Sequence, residues 1–195
     1  MTRHAVRDAA GDDVAVLAAA AAGDPVGVRR LLDEAGPVLY GFVIARVGGD
    51  ADAAEDIVQE TILEAVRSAA SFRGDSTVTT WLCAIARHRL SRHWAGERRQ
   101  ERARSGLRAM HGPGPAAEAE DGGDLEAVER REQLLGALAR LPAMQRQVLI
   151  LKYLDGRSVQ EISAEVGRSS VQVQSLLQRG RDGLRRHLGM ERDGR

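Results

Sequence analysis

Apolar positions recur at three- and four-residue spacing along most of the chain, and no stretch alternates apolar and polar as a half-buried strand would. The pattern predicts an all-α protein. Asp12 or Asp13 can cap a first helix through Ala22, which leaves residues 1–11 as a disordered tail. Asp24-Pro25 reads as an N-cap and first helical position, and that helix runs to about Glu34. Gly36-Pro37 is expected to break it, and a separate helix then carries Leu39, Phe42, Val43 and Val47 as far as Gly48-Gly49. Asp50 caps a long helix to about Ser71, with Ala54, Val58, Ile62, Ala65 and Ala69 as its apolar stripe. After a loop from Phe72 to Ser76, a helix from Thr79 to about Arg99 turns Leu82, Ile85, Ala86 and Leu90 inward.

The periodicity then stops. Ser105 to Gly123 is rich in Gly, Pro, Ala and acid, and His111-Gly112-Pro113-Gly114-Pro115 cannot be a helix interior. Helical spacing resumes from Leu125 to Leu141. Leu141-Pro142 opens a further helix, Ser158 to Val166 gives a short one, Gly167-Arg168-Ser169 a tight turn, and Ser170 to Leu188 a last helix. Two small helical domains follow from this, residues 12–102 and 125–190, joined by a flexible acidic linker at 103–124, with 191–195 as a tail. The final short helix, turn and long helix make a helix-turn-helix, whose second element normally lies in the DNA major groove.

Charge sharpens the picture. The 28 basic and 28 acidic residues cancel, but they are not mixed. Eight arginines fall between Arg87 and Arg108, against only Glu97 and Glu101. The next segment carries Glu118, Glu120, Asp121, Asp124 and Glu126, and the last helix turns basic again with Arg179, Arg181, Arg185 and Arg186. Such segregation is what a polyanion-binding protein shows when its connector is acidic. The single Cys83 leaves no internal disulfide or multi-cysteine zinc site and reads as a small buried hydrophobe in a reducing, cytoplasmic setting. Nothing resembles a secretory signal or a bilayer span.

In the last helix, Val173, Leu176, Leu177, Gly180, Leu184 and Leu188 share one side and should pack on Val148, Ile162 and Val166. The other side carries Ser170, Gln172, Gln174, Ser175, Gln178 and Arg179, with Arg168 just before it. Gln suits adenine and Arg suits guanine or phosphate, so these residues are base-reading candidates. Arg181, Arg185 and Arg186 are placed to hold phosphates. In the N-terminal half, Asp52, Glu55, Asp56, Gln59 and Glu60 form an acidic face that in isolation reads as merely solvated. Arg87, His88, Arg89, Arg92 and His93 form a basic face near Phe72, Trp81 and Trp94, a combination that suits single-stranded nucleic acid. Trp81 reads as core, Trp94 is open, and Phe72 is either a stacking platform or a loop anchor. The histidines are scattered, and no cofactor, metal site or catalytic centre is indicated.

Ala51 to Thr61, then Ser71-Phe72-Arg73-Gly74-Asp75-Ser76, then Thr80-Trp81-Leu82 with Ile85-Ala86-Arg87, resemble the promoter-melting domain (region 2) of bacterial sigma factors. Leu141-Pro142 with Gln145-Arg146, Tyr153-Leu154-Asp155-Gly156, Glu161-Ile162, Val173-Gln174-Ser175 and Arg179-Gly180-Arg181 resemble the −35-reading helix-turn-helix (region 4) of the extracytoplasmic-function (ECF) group. The resemblance runs from about Asp13 to Leu188, linker excepted. It implies an alternative sigma factor that binds core RNA polymerase through its β′ and β subunits and directs initiation at promoter DNA. Asp52, Glu55, Asp56, Gln59 and Glu60 would then meet a β′ coiled coil. Phe72, Arg73, Ser76, Arg87, His88 and Arg92 would capture the −10 element and its flipped base, and the linker would thread through the polymerase. A further implied partner is an anti-sigma factor. The free protein is expected to be a monomer that binds DNA weakly, without membrane insertion.

The chain departs from the family pattern at three places. His88 stands where the family often has Asn, and Gln174 and Leu176 stand where a basic residue is common. Gly180 and Gly183 each cost about 1 kcal/mol in a helix. A stand-alone helix-turn-helix regulator would instead need a ligand pocket or self-complementary face and tight DNA binding without polymerase. A nucleic-acid enzyme would need clustered carboxylates or His/Cys ligands.

Overall fold

The computed structural model describes residues 2–106 and 125–189, with side chains at 11–103 and 129–189. The expected linker lies largely outside the described residues. Within them the structure is helical, with eight α-helices: α1 (Thr2–Ala21), α2 (Pro25–Arg46), α3 (Ala51–Arg67), α4 (Val78–Gly106), α5 (Leu125–Ala139), α6 (Ala143–Tyr153), α7 (Val159–Val166) and α8 (Ser170–His187). The chain divides into two compact units: residues 1–45 with 51–92, and residues 46–50 with 93–195.

The first unit is a bundle of α1, α2, α3 and the start of α4. Its core holds Val16, Leu17 and Ala20 from α1, Leu31, Ala35, Leu39 and Val43 from α2, and Leu82, Ala86 and Leu90 from α4. Asp24 caps α2 as expected, accepting from the backbone N–H groups of Val26 and Gly27. Gly27 lets α2 start against α1, since a Cβ there would lie 2.6 Å from that of Ala19.

Five expectations are corrected here. Helix α1 starts at Thr2, so residues 2–11 are not a disordered tail. They contain three alanines and no proline, a composition that lets a helix extend. Asp12 and Asp13 therefore cap nothing in α1: Asp12 pairs with Arg30 of α2, and Asp13 accepts from Val78 N at 2.8 Å, capping α4. Helix α2 runs unbroken through Pro37. Leu31, Ala35, Leu39 and Val43 form one buried stripe across it, while Pro37 faces solvent, where water can reach the carbonyl it leaves unbonded. The buried stripe of α3 is Ala54, Ile57, Thr61 and Ala65, one step round from the expected set. Finally, α3 ends at Arg67 and a 3-10 turn, Ala69–Ser71, replaces its expected last turn.

The second unit packs α8 on α6 and α7, around Val148, Ile150, Ile162, Val166, Val173 and Leu177. It also includes the Arg46–Asp50 turn and the distal part of α4, which runs to Gly106, beyond the expected start of the linker at residue 103. Trp94 is buried, and its indole N–H donates to the Arg46 carbonyl at 3.2 Å. Arg46 pairs with Asp155 at 2.5 Å, with both side chains under a tenth exposed. Arg146 of α6 pairs with Glu97 of α4, and Arg98 donates to Gln147. The two helix glycines have a packing role. A Cβ on Gly180 would lie 3.0 Å from Leu149 Cδ1, and one on Gly183 would lie 2.6 Å from Leu141 Cδ2. Their weak helix propensity is exchanged for close approach of α8 to the body of the unit.

Candidate nucleic-acid interface

The turn between α7 and α8 is defined by local chemistry at both ends. Gly167 closes α7 in the left-handed region, at φ 63° and ψ 44°, which glycine adopts without a Cβ penalty. Ser169 caps α8, accepting from Gln172 N at 3.3 Å, while Gln172 Oε1 accepts from Ser169 N at 3.0 Å. Ser158 and Glu161 make the same reciprocal arrangement at the start of α7. Two capped helices meeting at a glycine turn give the helix-turn-helix a set angle.

The exposed face of α8 carries Ser170, Gln172, Gln174, Ser175, Gln178 and Arg179, with Arg168 exposed in the turn. Seven of the eight expected residues are thus solvent-facing, six of them on α8. Arg181 is less free. It donates to Gln178 Oε1 at 2.6 Å and lies 3.4 Å from the Tyr153 hydroxyl. Gln178 in turn donates to Asp182, which also pairs with Arg185 at 3.2 Å. Asp182 is an acidic residue in the expected basic end of the helix, and it ties up part of the phosphate-holding set. Leu176 is half-buried. One further residue escaped the sequence analysis: Val171, three-quarters exposed on the first turn of α8. An apolar side chain where polar readers were sought is easily passed over.

In the first unit, Asp52, Glu55, Asp56, Gln59 and Glu60 are all exposed on α3. Glu60 also pairs with Arg89 of α4, which reaches Glu64 as well, at 3.5 Å. Arg87, His88 and Arg92 are exposed on α4, and the Arg87 guanidinium lies 5.1 Å from the Phe42 ring centroid. The aromatics exchange their expected roles. Phe72 is only 7% exposed and anchors its loop, whereas Trp81, expected in the core, is half-buried with its ring centroid 5.2 Å from that of Phe72. Arg73 is exposed and Ser76 partly so. Cys83 is half-buried rather than buried. Among the described residues no group of His, Cys, Asp or Glu is gathered to hold a metal ion, and no helix is long and apolar enough to cross a membrane.

A family model described as Sigma-70 region 2 matches residues 31–100, and one described as Sigma-70, region 4 matches residues 131–183. ECF RNA polymerase sigma factor SigL of Mycobacterium tuberculosis is 32% identical over 167 residues, which cover 84% of this chain and 90% of that one. The chain belongs to the ECF group of RNA polymerase sigma factors. Another relative, ECF RNA polymerase sigma factor BldN of Streptomyces coelicolor, is 29% identical over 80% of this chain but only 58% of its own length. Among solved structures, the sigma factor RpoE from Bartonella quintana, crystallised with the anti-sigma factor NepR, aligns with a TM-score of 0.50 and 26% identity. The alignment covers 85% of this chain and 98% of that one.

In this sigma factor the region 2 match spans the acidic face of α3 and the basic face of α4. The region 4 match holds α7, the glycine turn and α8 as far as Gly183. Asp182, Tyr153, Val171 and Trp81 are the residues of the two faces that sequence reasoning missed or misplaced. Asp182 was legible, since an acid among arginines is visible in the sequence, but its pairing depends on helical geometry.

Proposed function

We propose that this sigma factor binds core RNA polymerase and sets its start sites by recognising −35 and −10 promoter elements, acting through binding and not through catalysis. The observation that carries the reading is the exposure of the whole polar face of α8 beside a glycine-set turn, within a chain of this family. In this reading α8 enters the major groove. Gln174, Ser175 and Ser170 read base edges, Val171 meets a thymine methyl, and Arg168, Arg179 and Arg181 hold phosphates. Gln172 acts through the donors that its capping bond leaves over, and Gln178 exchanges its bonds with Asp182 and Arg181 for DNA.

Asp52, Glu55, Asp56, Gln59 and Glu60 form the polymerase-binding face, against the β′ subunit. Arg73, Ser76, Arg87, His88 and Arg92 receive the −10 strand. Phe72 shapes that site from beneath, and the exposed part of Trp81 offers the stacking edge. Flipping a base costs a few kcal/mol, which the basic surface must offset. The functional division falls between α4 and α5, separating the melting module from the −35 module. The protein works in the cytoplasm, is a monomer when free, and has an anti-sigma partner, as its relative RpoE does with NepR.

The test is run-off transcription with core polymerase and a library of promoters. Initiation at templates sharing one −35/−10 pair is expected, with Asp56→Arg losing both transcription and co-purification with core polymerase. Tight promoter binding by the chain alone, with no effect on start-site choice, would overturn the reading in favour of a stand-alone regulator.

A further inference from the structure

Helix α8 carries a single acid, Asp182, among Arg179, Arg181, Arg185 and Arg186. Val171, Ser175, Gln178 and Asp182 follow one another at spacings of four, three and four residues, and Arg185 lies three further on, so they form one line along the helix. Every member reaches solvent, Asp182 with 48% and Arg185 with 55% of the side chain exposed. By the 1.5 Å rise per residue, Asp182 stands about 18 Å along the helix from Ser170. Its carboxylate holds two neighbours. Gln178 Nε2 donates to Asp182 Oδ1 at 3.3 Å and to Oδ2 at 3.2 Å, and Arg185 Nη1 donates to Oδ1 at 3.2 Å. A carboxylate only accepts, so the Gln178 amide turns its nitrogen toward Asp182 and its oxygen toward Arg181, which donates to it at 2.6 Å. Arg181 also reaches the Tyr153 hydroxyl at 3.4 Å. Tyr153, Arg181, Gln178, Asp182 and Arg185 therefore make one polar chain across the face.

Stability does not account for the acid, because exposed pairs three and four residues apart on a helix contribute little. Facing a phosphate backbone, the same carboxylate has a larger effect. It repels the phosphates, and it has to release Gln178 and Arg185 before either meets DNA. We propose, resting on the reading that α8 enters the major groove, that Asp182 is an affinity-limiting residue of the −35 surface: a built-in competitor that occupies one base reader and one phosphate holder until duplex DNA displaces it. Phosphate contacts form at every sequence, whereas base contacts form at the matching one. A carboxylate that subtracts from the first kind lowers binding everywhere and leaves the choice of site to Ser170, Gln174 and Ser175. It also keeps the free chain a weak DNA binder, in need of the further contacts that the polymerase supplies.

Fluorescence anisotropy of the full chain tests this, with one duplex of mixed sequence and one carrying the −35 element of an active template, across about 50–200 mM salt. The logarithm of affinity falls with the logarithm of salt by about 0.9 for each neutralised phosphate. Asp182→Asn frees Arg185 for one phosphate. Its slope should therefore steepen by about 0.9, and its affinity should rise about eightfold at about 0.1 M salt, on both duplexes alike. Asp182→Ala should do the same, and circular dichroism checks that both variants fold. An acid that merely supports the helix would behave differently, its loss weakening binding at an unchanged slope. Asp33→Asn, the same change of charge at an exposed position of α2, should leave the slope where it was. Unchanged slope and affinity for Asp182→Asn, with Arg179→Ala still weakening binding, would overturn the proposal and leave the −35 reading standing. Weakening confined to the −35 duplex would overturn it too, by making Asp182 a reader of a cytosine amino group. Equal steepening by Asp33→Asn would assign the effect to net charge and overturn it as well. No duplex binding by parent or variants, or binding indifferent to Arg179→Ala, would end the −35 reading and the proposal with it.

Discussion

Gln172 has two roles that compete for one carboxamide. Its oxygen accepts from Ser169 N at 3.0 Å and closes the cap of α8. Bidentate reading of adenine needs both the oxygen and the nitrogen of the amide. Only the donor side is left for DNA while the cap is intact. Gln172→Ala should therefore destabilise the second unit by about 0.5–1.5 kcal/mol, whereas Gln172→Glu keeps the cap and loses the donor. Urea melts and −35 duplex titrations on the two variants separate the roles, and an unchanged melt for Gln172→Ala would remove the capping role. Residue-scale reading from the sequence succeeded where exposure follows helical phase, as for the polar face of α8. It failed for Phe72 and Trp81, because an aromatic beside a polar loop has the same sequence pattern whether it anchors the loop or faces solvent.

At the scale of elements, local chemistry and tertiary burial disagree at one place. Pro37 should end a helix, yet α2 passes through it because its buried stripe is continuous on both sides. The missing hydrogen bond lies on the solvent side. Pro37→Ala should then raise stability, by roughly 1–3 kcal/mol, because it restores that bond and relieves the ring clash. A chemical-denaturation midpoint that does not move would show that α2 already absorbs the proline. The start of α7 makes the opposite case, in which sequence and structure agree. Glu161 is held below the usual glutamate range, first by its bond from the Ser158 N–H, then by the Ser158 hydroxyl and Arg157. A carboxyl with a depressed folded pKa contributes stability that is fully present above its unfolded pKa and is lost as pH falls through the folded value. Helix-turn-helix stability should decline below the ordinary glutamate range in the parent, and Glu161→Gln should flatten that part of the pH profile. Thermal melts across the acid range provide the comparison. The cap of α2 by Asp24 was legible in advance because it involves residues two and three apart; the passage through Pro37 was not, because it depends on what covers the opposite face.

For the molecule as a whole, the second unit is built from segments far apart in the chain. Arg46 meets Asp155, and Glu97 meets Arg146, with Arg46, Asp155 and Arg146 almost fully buried. Removing one member of a buried pair strands the other, at a cost of about 3–5 kcal/mol. Asp155→Ala should lower the unfolding midpoint of this unit accordingly. Arg46→Met combined with Asp155→Leu should recover much of the loss, since two apolar groups leave no buried charge. Equal losses for the single and double variants would argue that the pair's worth lies in packing. By itself the sequence determined the all-helical class, the helix-turn-helix, the Asp24 cap and the segregated charge, since each follows from residues within a few turns of one another. Only the tertiary structure decided that Gly180 and Gly183 are close-packing sites against Leu149 and Leu141, and that Arg46 meets Asp155. Those depend on distances between residues dozens of positions apart, which helical periodicity does not encode.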